Sequence, residues 1–152
     1  RGTVLTTFEI GREKLSIANT HLSWKPEDES SRFEQVEELL KEVETWGGSF
    51  ILAGDFNDVP ESAPLKKIKN AGFADLFEQL NPKERGLTWD NQSRFIQSHN
   101  VKLPDRRIDF LFARKTLLQI LKPKICKVVF NRQNQAGIYP SDHYGLFAEF
   151  ER

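Results

Sequence analysis

Apolar and polar residues alternate at a spacing of two over residues 3–9, where Val4, Thr6 and Phe8 interleave with Leu5 and Thr7. The same spacing returns over residues 14–20, with Leu15 and Ile17 flanking Ser16. A period of two is the mark of a half-buried strand, and the short Gly11-Arg12 connection predicts a hairpin. Over residues 31–46 the period lengthens, and Phe33, Val36, Leu40 and Val43 share one face of a predicted helix. Ser31 to Glu34 has capping-box spacing at its start, and Gly47-Gly48 ends it. Phe50 to Ala53 reads as a short buried strand that runs into Gly54-Asp55-Phe56-Asn57. Residues 63–71 predict a second helix, with Pro64 in the first turn and Gly72 past its end.

The stretch 80–106 is polar and broken by Pro82, Gly86 and Pro104, and predicts a long loop around a short Leu87-Thr88-Trp89 strand. Residues 107–113, 125–130 and 145–150 read as three further strands. Interspersed strands and helices predict an α/β or α+β fold with no internal boundary across residues 1–152.

Composition narrows the function classes. The chain is 38% hydrophobic and 29% charged, which excludes a disordered tail, and it has no apolar run of the about 18 residues that a membrane helix requires. Its 22 basic and 22 acidic residues cancel, which argues against a partner held by bulk positive charge. The single cysteine, Cys126, excludes an internal disulfide and reads as a small buried apolar residue.

The candidate chemistry lies at strand margins. Asn19-Thr20-His21, Asp55-Phe56-Asn57, Asp109 and Ser141-Asp142-His143 each border or interrupt an apolar strand. Asp109 is the most pointed of these, since a carboxylate inside an apolar strand needs a partner or a metal. Carboxylates suit hard cations such as Mg²⁺, and imidazoles donate hydrogen bonds or protons to phosphate oxygens. Together these are the parts that phosphate-ester hydrolysis requires. No Ser or Cys has the flanking residues of a covalent nucleophile.

The strings Ala18-Asn19-Thr20-His21-Leu22, Leu52-Ala53-Gly54-Asp55-Phe56-Asn57, Arg107-Ile108-Asp109-Phe110-Leu111-Phe112 and Pro140-Ser141-Asp142-His143 resemble, in order, motifs of the endonuclease/exonuclease/phosphatase (DNase I-like) superfamily. The resemblance implies a β-sandwich flanked by helices and divalent-metal-dependent hydrolysis of phosphate esters, with Mg²⁺ or Mn²⁺ as cofactor. It implies that Asp55 orients or deprotonates the attacking water, Asn57 holds the scissile phosphate and His21 hydrogen-bonds a phosphate oxygen. Asp142 would contact the metal. His143 would contact the phosphate or act in acid–base catalysis, oriented by Asp109. Whether Asp55 or His143 is the general base stays open. Arg32, Trp89, Arg106 and Arg107 are candidate substrate contacts, the arginines by bidentate hydrogen bonds to phosphate and the indole by stacking.

The same resemblance implies that a strand bearing an Asn and a segment bearing a metal-binding Glu precede residue 1. The chain is then expected to be the C-terminal part of a single domain. Its lack of methionine agrees with that expectation. An apolar sheet face should be left uncovered, favouring self-association, and the absent N-terminal part of the domain is an expected partner. The expected substrate is a phosphate ester of nucleic acid, lipid or small-molecule type. The alternative is a non-catalytic binding module on the same scaffold.

Overall fold

A computed structural model describes every residue of the chain except Arg12 and Val101. The elements run β1 (Thr3–Ile10), β2 (Glu13–His21), α1 (Glu29–Trp46), β3 (Ser49–Asp55), α2 (Ala63–Asn70), β4 (Phe73–Asp75), α3 (Leu76–Leu80), α4 (Arg94–Gln97), β5 (Asp109–Arg114), a 3₁₀ turn (Leu117–Gln119), β6 (Lys122–Val129) and β7 (Gly145–Glu151). Five strands form one sheet in the order β1-β2-β3-β5-β4, and β6 and β7 form a separate antiparallel pair. The β2–β3 pairing is parallel, with α1 as the crossover, and β3–β5 is antiparallel. This is the α/β architecture that the pattern predicts.

Strand alternation divides the core into two layers. Ala18, Phe50, Leu52, Phe110 and Phe112 point to one face and meet Val36, Leu39, Leu40 and Val43 of α1 and Leu65 and Ile68 of α2. Leu15, Ile17, Ile51, Leu111 and Ala113 point to the other face and meet α3, β6 and β7. Phe56 packs edge-on against both Phe110 and Phe112, with ring centroids 5.8 and 5.5 Å away, and so locks the end of β3 to β5. Cys126 lies in the second layer at 3% exposure, where burial pushes its thiol up to about 11.

Several expectations need correction. Helix α1 begins at Glu29 with Asp28 as its N-cap, so Ser31 is not a cap. Residues 87–89 contribute one isolated bridge, Trp89 to Arg106, and not a strand. The predicted loop after residue 80 also contains α4, and β4 and α3 precede it. The Arg12 half of the expected hairpin turn lies outside the described residues. On β1, Val4, Phe8 and Ile10 remain 68%, 48% and 39% exposed, an uncovered apolar row next to the second layer. Among the described residues, no helix is long and apolar enough to cross a membrane.

Candidate active site

Register builds the site. His21 is the last residue of β2 and pairs with Asp55, the last residue of β3; Asp55 in turn pairs with Asp109, the first residue of β5. Three neighbouring strands therefore deliver an imidazole and two carboxylates to one end of the sheet. Gly54 permits this convergence. Its φ is +126°, and a Cβ there would lie 2.0 Å from the Thr20 carbonyl oxygen.

The turn after β3 fixes Asp55. The Asn57 backbone N–H donates to Asp55 Oδ1 at 2.8 Å, and Asn57 Nδ2 donates to Asp55 Oδ2 at 3.0 Å and to the Leu22 carbonyl at 3.1 Å. Asn57 adopts φ 53°, a left-handed conformation that asparagine tolerates. Leu22 N–H closes the ring by donating to the Asp55 carbonyl at 2.9 Å.

The start of β5 is held by a residue that the sequence analysis did not single out. Thr88 is fully buried, and its Oγ1 accepts from the N–H groups of Ile108 and Asp109 at 3.1 and 3.2 Å. The Thr88 carbonyl accepts from Tyr144 N–H at 2.8 Å and so docks the Asp142-His143 loop beside β5. His143 Nδ1 then meets Asp109 Oδ2 at 2.9 Å, the pairing that the resemblance implies.

Charge is concentrated here. One ligand atom from each of Asp55, Asp109 and His143 lies within 4.8 Å of the others. Burial, reinforced by the Asp109 charge, pushes the Asp55 carboxyl up to about 6. For His143, burial disfavours the cation, but the Asp109 hydrogen bond and charge outweigh it and raise the ring above its ordinary value. His21, with Nε2 3.3 Å from Asp55 Oδ2, is lowered by burial and by the neighbouring Arg1 guanidinium. Two carboxylates held together at this cost suit a cation, which would relieve their repulsion.

Asp142 stands outside that group. Its Oδ2 is 3.2 Å from His99 Nε2, and its carboxylate is 38% exposed. Burial would raise Asp142, but hydrogen bonding from Ser141 and the His143 charge hold it below its ordinary value. His99 was missed because nothing in its polar loop marks it.

The four candidate substrate contacts divide sharply. Arg32 is 3% exposed; its Nε donates to Asp58 at 2.8 Å, and Nη1 and Nη2 donate to the carbonyls of Ser23, Lys25 and Pro26. Arg107 is 5% exposed and donates through Nη1 to both oxygens of Asp75 at 3.0 and 2.7 Å. Both guanidiniums are committed inside the protein, which corrects their expected place at a substrate. Trp89 is 6% exposed and packs edge-on between His99 and His143, with centroids 5.1 and 5.2 Å away, so it supports the imidazoles and offers no face for stacking. Arg106 differs in making no ion pair among the described residues. It is half-buried, its Nε, like that of Arg107, has no hydrogen-bond partner there, and Asp55 lies close enough for its charge to act on it.

Known proteins share this frame. The chain is 28% identical to the probable CCR4-Not complex 3'-5'-exoribonuclease subunit Ccr4 of Vairimorpha ceranae, over 97% of this chain and 35% of that protein. The crystal structure of D. rerio TDP2 complexed with single strand DNA product superposes with a TM-score of 0.80 at 24% identity, covering 99% of this chain and 61% of that one. An endonuclease/exonuclease/phosphatase family protein from Leptotrichia buccalis gives 0.72 at 25% identity, with 99% and 54% covered. The chain thus spans about a third of the curated relative and about three-fifths of the TDP2 chain. The profile of the Endonuclease/Exonuclease/phosphatase family matches residues 2–143, and the chain belongs to that family.

Proposed function

We propose that this chain carries the C-terminal share of the active site of a divalent-metal-dependent phosphodiesterase that acts on nucleic acid. The observation that carries the reading is the convergence of Asp55 and Asp109, at the ends of the adjoining strands β3 and β5, with His143 from the loop before β7. The names of the exoribonuclease relative and of the DNA-bound structural neighbour support the substrate class.

In this reading Asp55, held by the Asn57 backbone and side-chain N–H groups and facing His21, takes the proton of the attacking water. His143, held by Asp109 and raised toward its cationic form, donates to a phosphate oxygen. His21 offers a neutral ring to the same phosphate, Asn57 orients Asp55, and the unpartnered Arg106 Nε contacts the strand beside the scissile group. Mg²⁺ or Mn²⁺ fits the Asp55–Asp109 pair and would neutralise charge on the phosphate when bound. The segment bearing a further metal-binding Glu belongs, in this reading, to a part of the domain that precedes residue 1.

The test is hydrolysis of bis(p-nitrophenyl) phosphate with Mg²⁺, by this chain alone and by the same chain joined to its upstream coding sequence. Turnover that disappears with EDTA and with Asp55→Asn supports the proposal. Folded but inactive preparations of both forms would move the non-catalytic binding module to the front.

A further inference from the structure

We infer that Trp24 is a stacking platform for an unpaired nucleobase next to the scissile phosphate; this deepens the nucleic-acid reading above and rests on it. Singly exposed apolar residues are ordinary on protein surfaces. Trp24 is set apart by the effort spent on the backbone around it. The carbonyls on both sides of it, those of Ser23 and Lys25, accept from the buried Arg32 Nη1 at 3.3 and 2.6 Å. Ser23 N–H donates to Gln35 Oε1 at 2.9 Å, and Ser23 Oγ donates to Asp28 Oδ2 at 2.6 Å. Asp28 N–H donates to the Lys25 carbonyl at 3.0 Å. A desolvated guanidinium, anchored on Asp58, thus organises the loop, while the one large apolar side chain within it remains 46% exposed.

Its position is at the site. Leu22 is tied to Asp55 and Asn57 through both backbone groups. Trp24 follows two residues later, so its Cα lies within about 7 Å of that anchor. The flanking side chains are polar or short: Ser23, Lys25, Pro26, Glu27 and Asp28. An isolated ring in such surroundings matches a planar group with polar edges, and offers no continuous apolar surface for an acyl chain. Lys25 supplies positive charge for a neighbouring phosphate.

The test compares two fluorescently labelled strands of equal length, single-stranded oligothymidylate and its fully abasic counterpart. Affinities are measured by anisotropy with the full chain and Mg²⁺ in an Asp55→Asn background, which prevents turnover. Trp24→Ala is expected to weaken the base-bearing strand on the order of tenfold, the size of one lost base–aromatic stack. The abasic strand should bind as before, Trp24→Phe should recover most of the loss, and unchanged melting would show that the variants fold. Equal weakening of both strands, no weakening, or no binding of either strand by the Asp55→Asn protein overturns the assignment. Mg²⁺-dependent hydrolysis by the parent reports on the phosphodiesterase reading separately. Activity without a Trp24 effect removes only the stacking platform, and a Trp24 effect without activity removes only the enzyme.

Discussion

Asp55→Asn should make the protein more stable at neutral pH while it abolishes activity. The Asp55 carboxyl is raised from 3.8 to about 6 by burial and by Asp109, and its side chain is 15% exposed. A group whose folded pKa lies above its unfolded value favours folding when protonated. That contribution is fully present below pH 3.8 and is lost as the pH rises through about 6. A displacement of this size corresponds to about 3 kcal/mol at pH 7.5. Asparagine removes the charge but turns an NH₂ toward Asn57 Nδ2, sacrificing one hydrogen bond worth about 1 kcal/mol. The variant should therefore gain about 2 kcal/mol at pH 7.5 and lose about 0.5 kcal/mol at pH 4, where the unfolded carboxyl is already more than half ionised. The assay is urea unfolding followed by tryptophan fluorescence, in EDTA, from pH 4 to 7.5, because groups away from the site titrate alike in both proteins. A variant less stable than the parent at pH 7.5, or a stability difference that does not change with pH, would refute the reasoning. Adding Mg²⁺ should shrink the difference, since a bound cation relieves the repulsion in the parent alone.

Other perturbations probe the supports of the site. Gly54→Ala sets a Cβ 2.0 Å from the Thr20 carbonyl at φ +126°, so circular dichroism should show loss of the cooperative transition; a native-like melt would exclude the close approach. Thr88→Val removes the buried acceptor of two N–H groups, and should cost about 2–3 kcal/mol in denaturant unfolding and reduce turnover through a misplaced Asp109. Arg32→Met leaves Asp58 buried without its partner and should cost about 3–5 kcal/mol, whereas a solvated Arg32 would cost nothing measurable. Val4→Lys combined with Phe8→Lys should increase the monomer fraction in sedimentation velocity, and a parent that is already monomeric at high concentration contradicts association through that face.

The sequence pattern made the long elements legible, because each carries its own period. Val36, Leu40 and Val43 mark α1 wherever it packs, and alternation along β1, β2 and β5 identifies strands without knowledge of their neighbours. It failed where a segment takes its conformation from distant groups. The β4 strand is three residues long, and α3 is capped by the Asp75 side chain, which also receives Arg107 from across the fold. Thr88 is the same case, since its hydroxyl acts on residues 20 and 21 positions away. The chemistry-bearing residues were legible for the opposite reason: a polar group at the margin of an apolar strand is costly unless something uses it.

The arginines carry this contrast furthest. By composition Arg32, Arg106 and Arg107 are equivalent phosphate contacts, yet burial assigns them different work. Arg32 and Arg107 each face a carboxylate from a segment remote in sequence, Asp58 and Asp75, and no local pattern announces either partner. Once paired, they spend their charge on geometry: Arg32 on the loop that follows His21, and Arg107 on the start of α3 through Asp75. Arg106 pairs with Trp89 in an isolated bridge and makes no ion pair among the described residues; its buried Nε has no partner, and neither has that of Arg107, whose Nη1 is nevertheless committed to Asp75. An unsatisfied guanidinium nitrogen near Asp55 is costly in isolation and favourable with an anion beside it. Arg106→Lys should thus weaken strand binding with little loss of stability, whereas Arg107→Lys should do the reverse. Unfolding and binding measured on the two variants separate these roles, and matching effects from both would show that the burial argument had misassigned them.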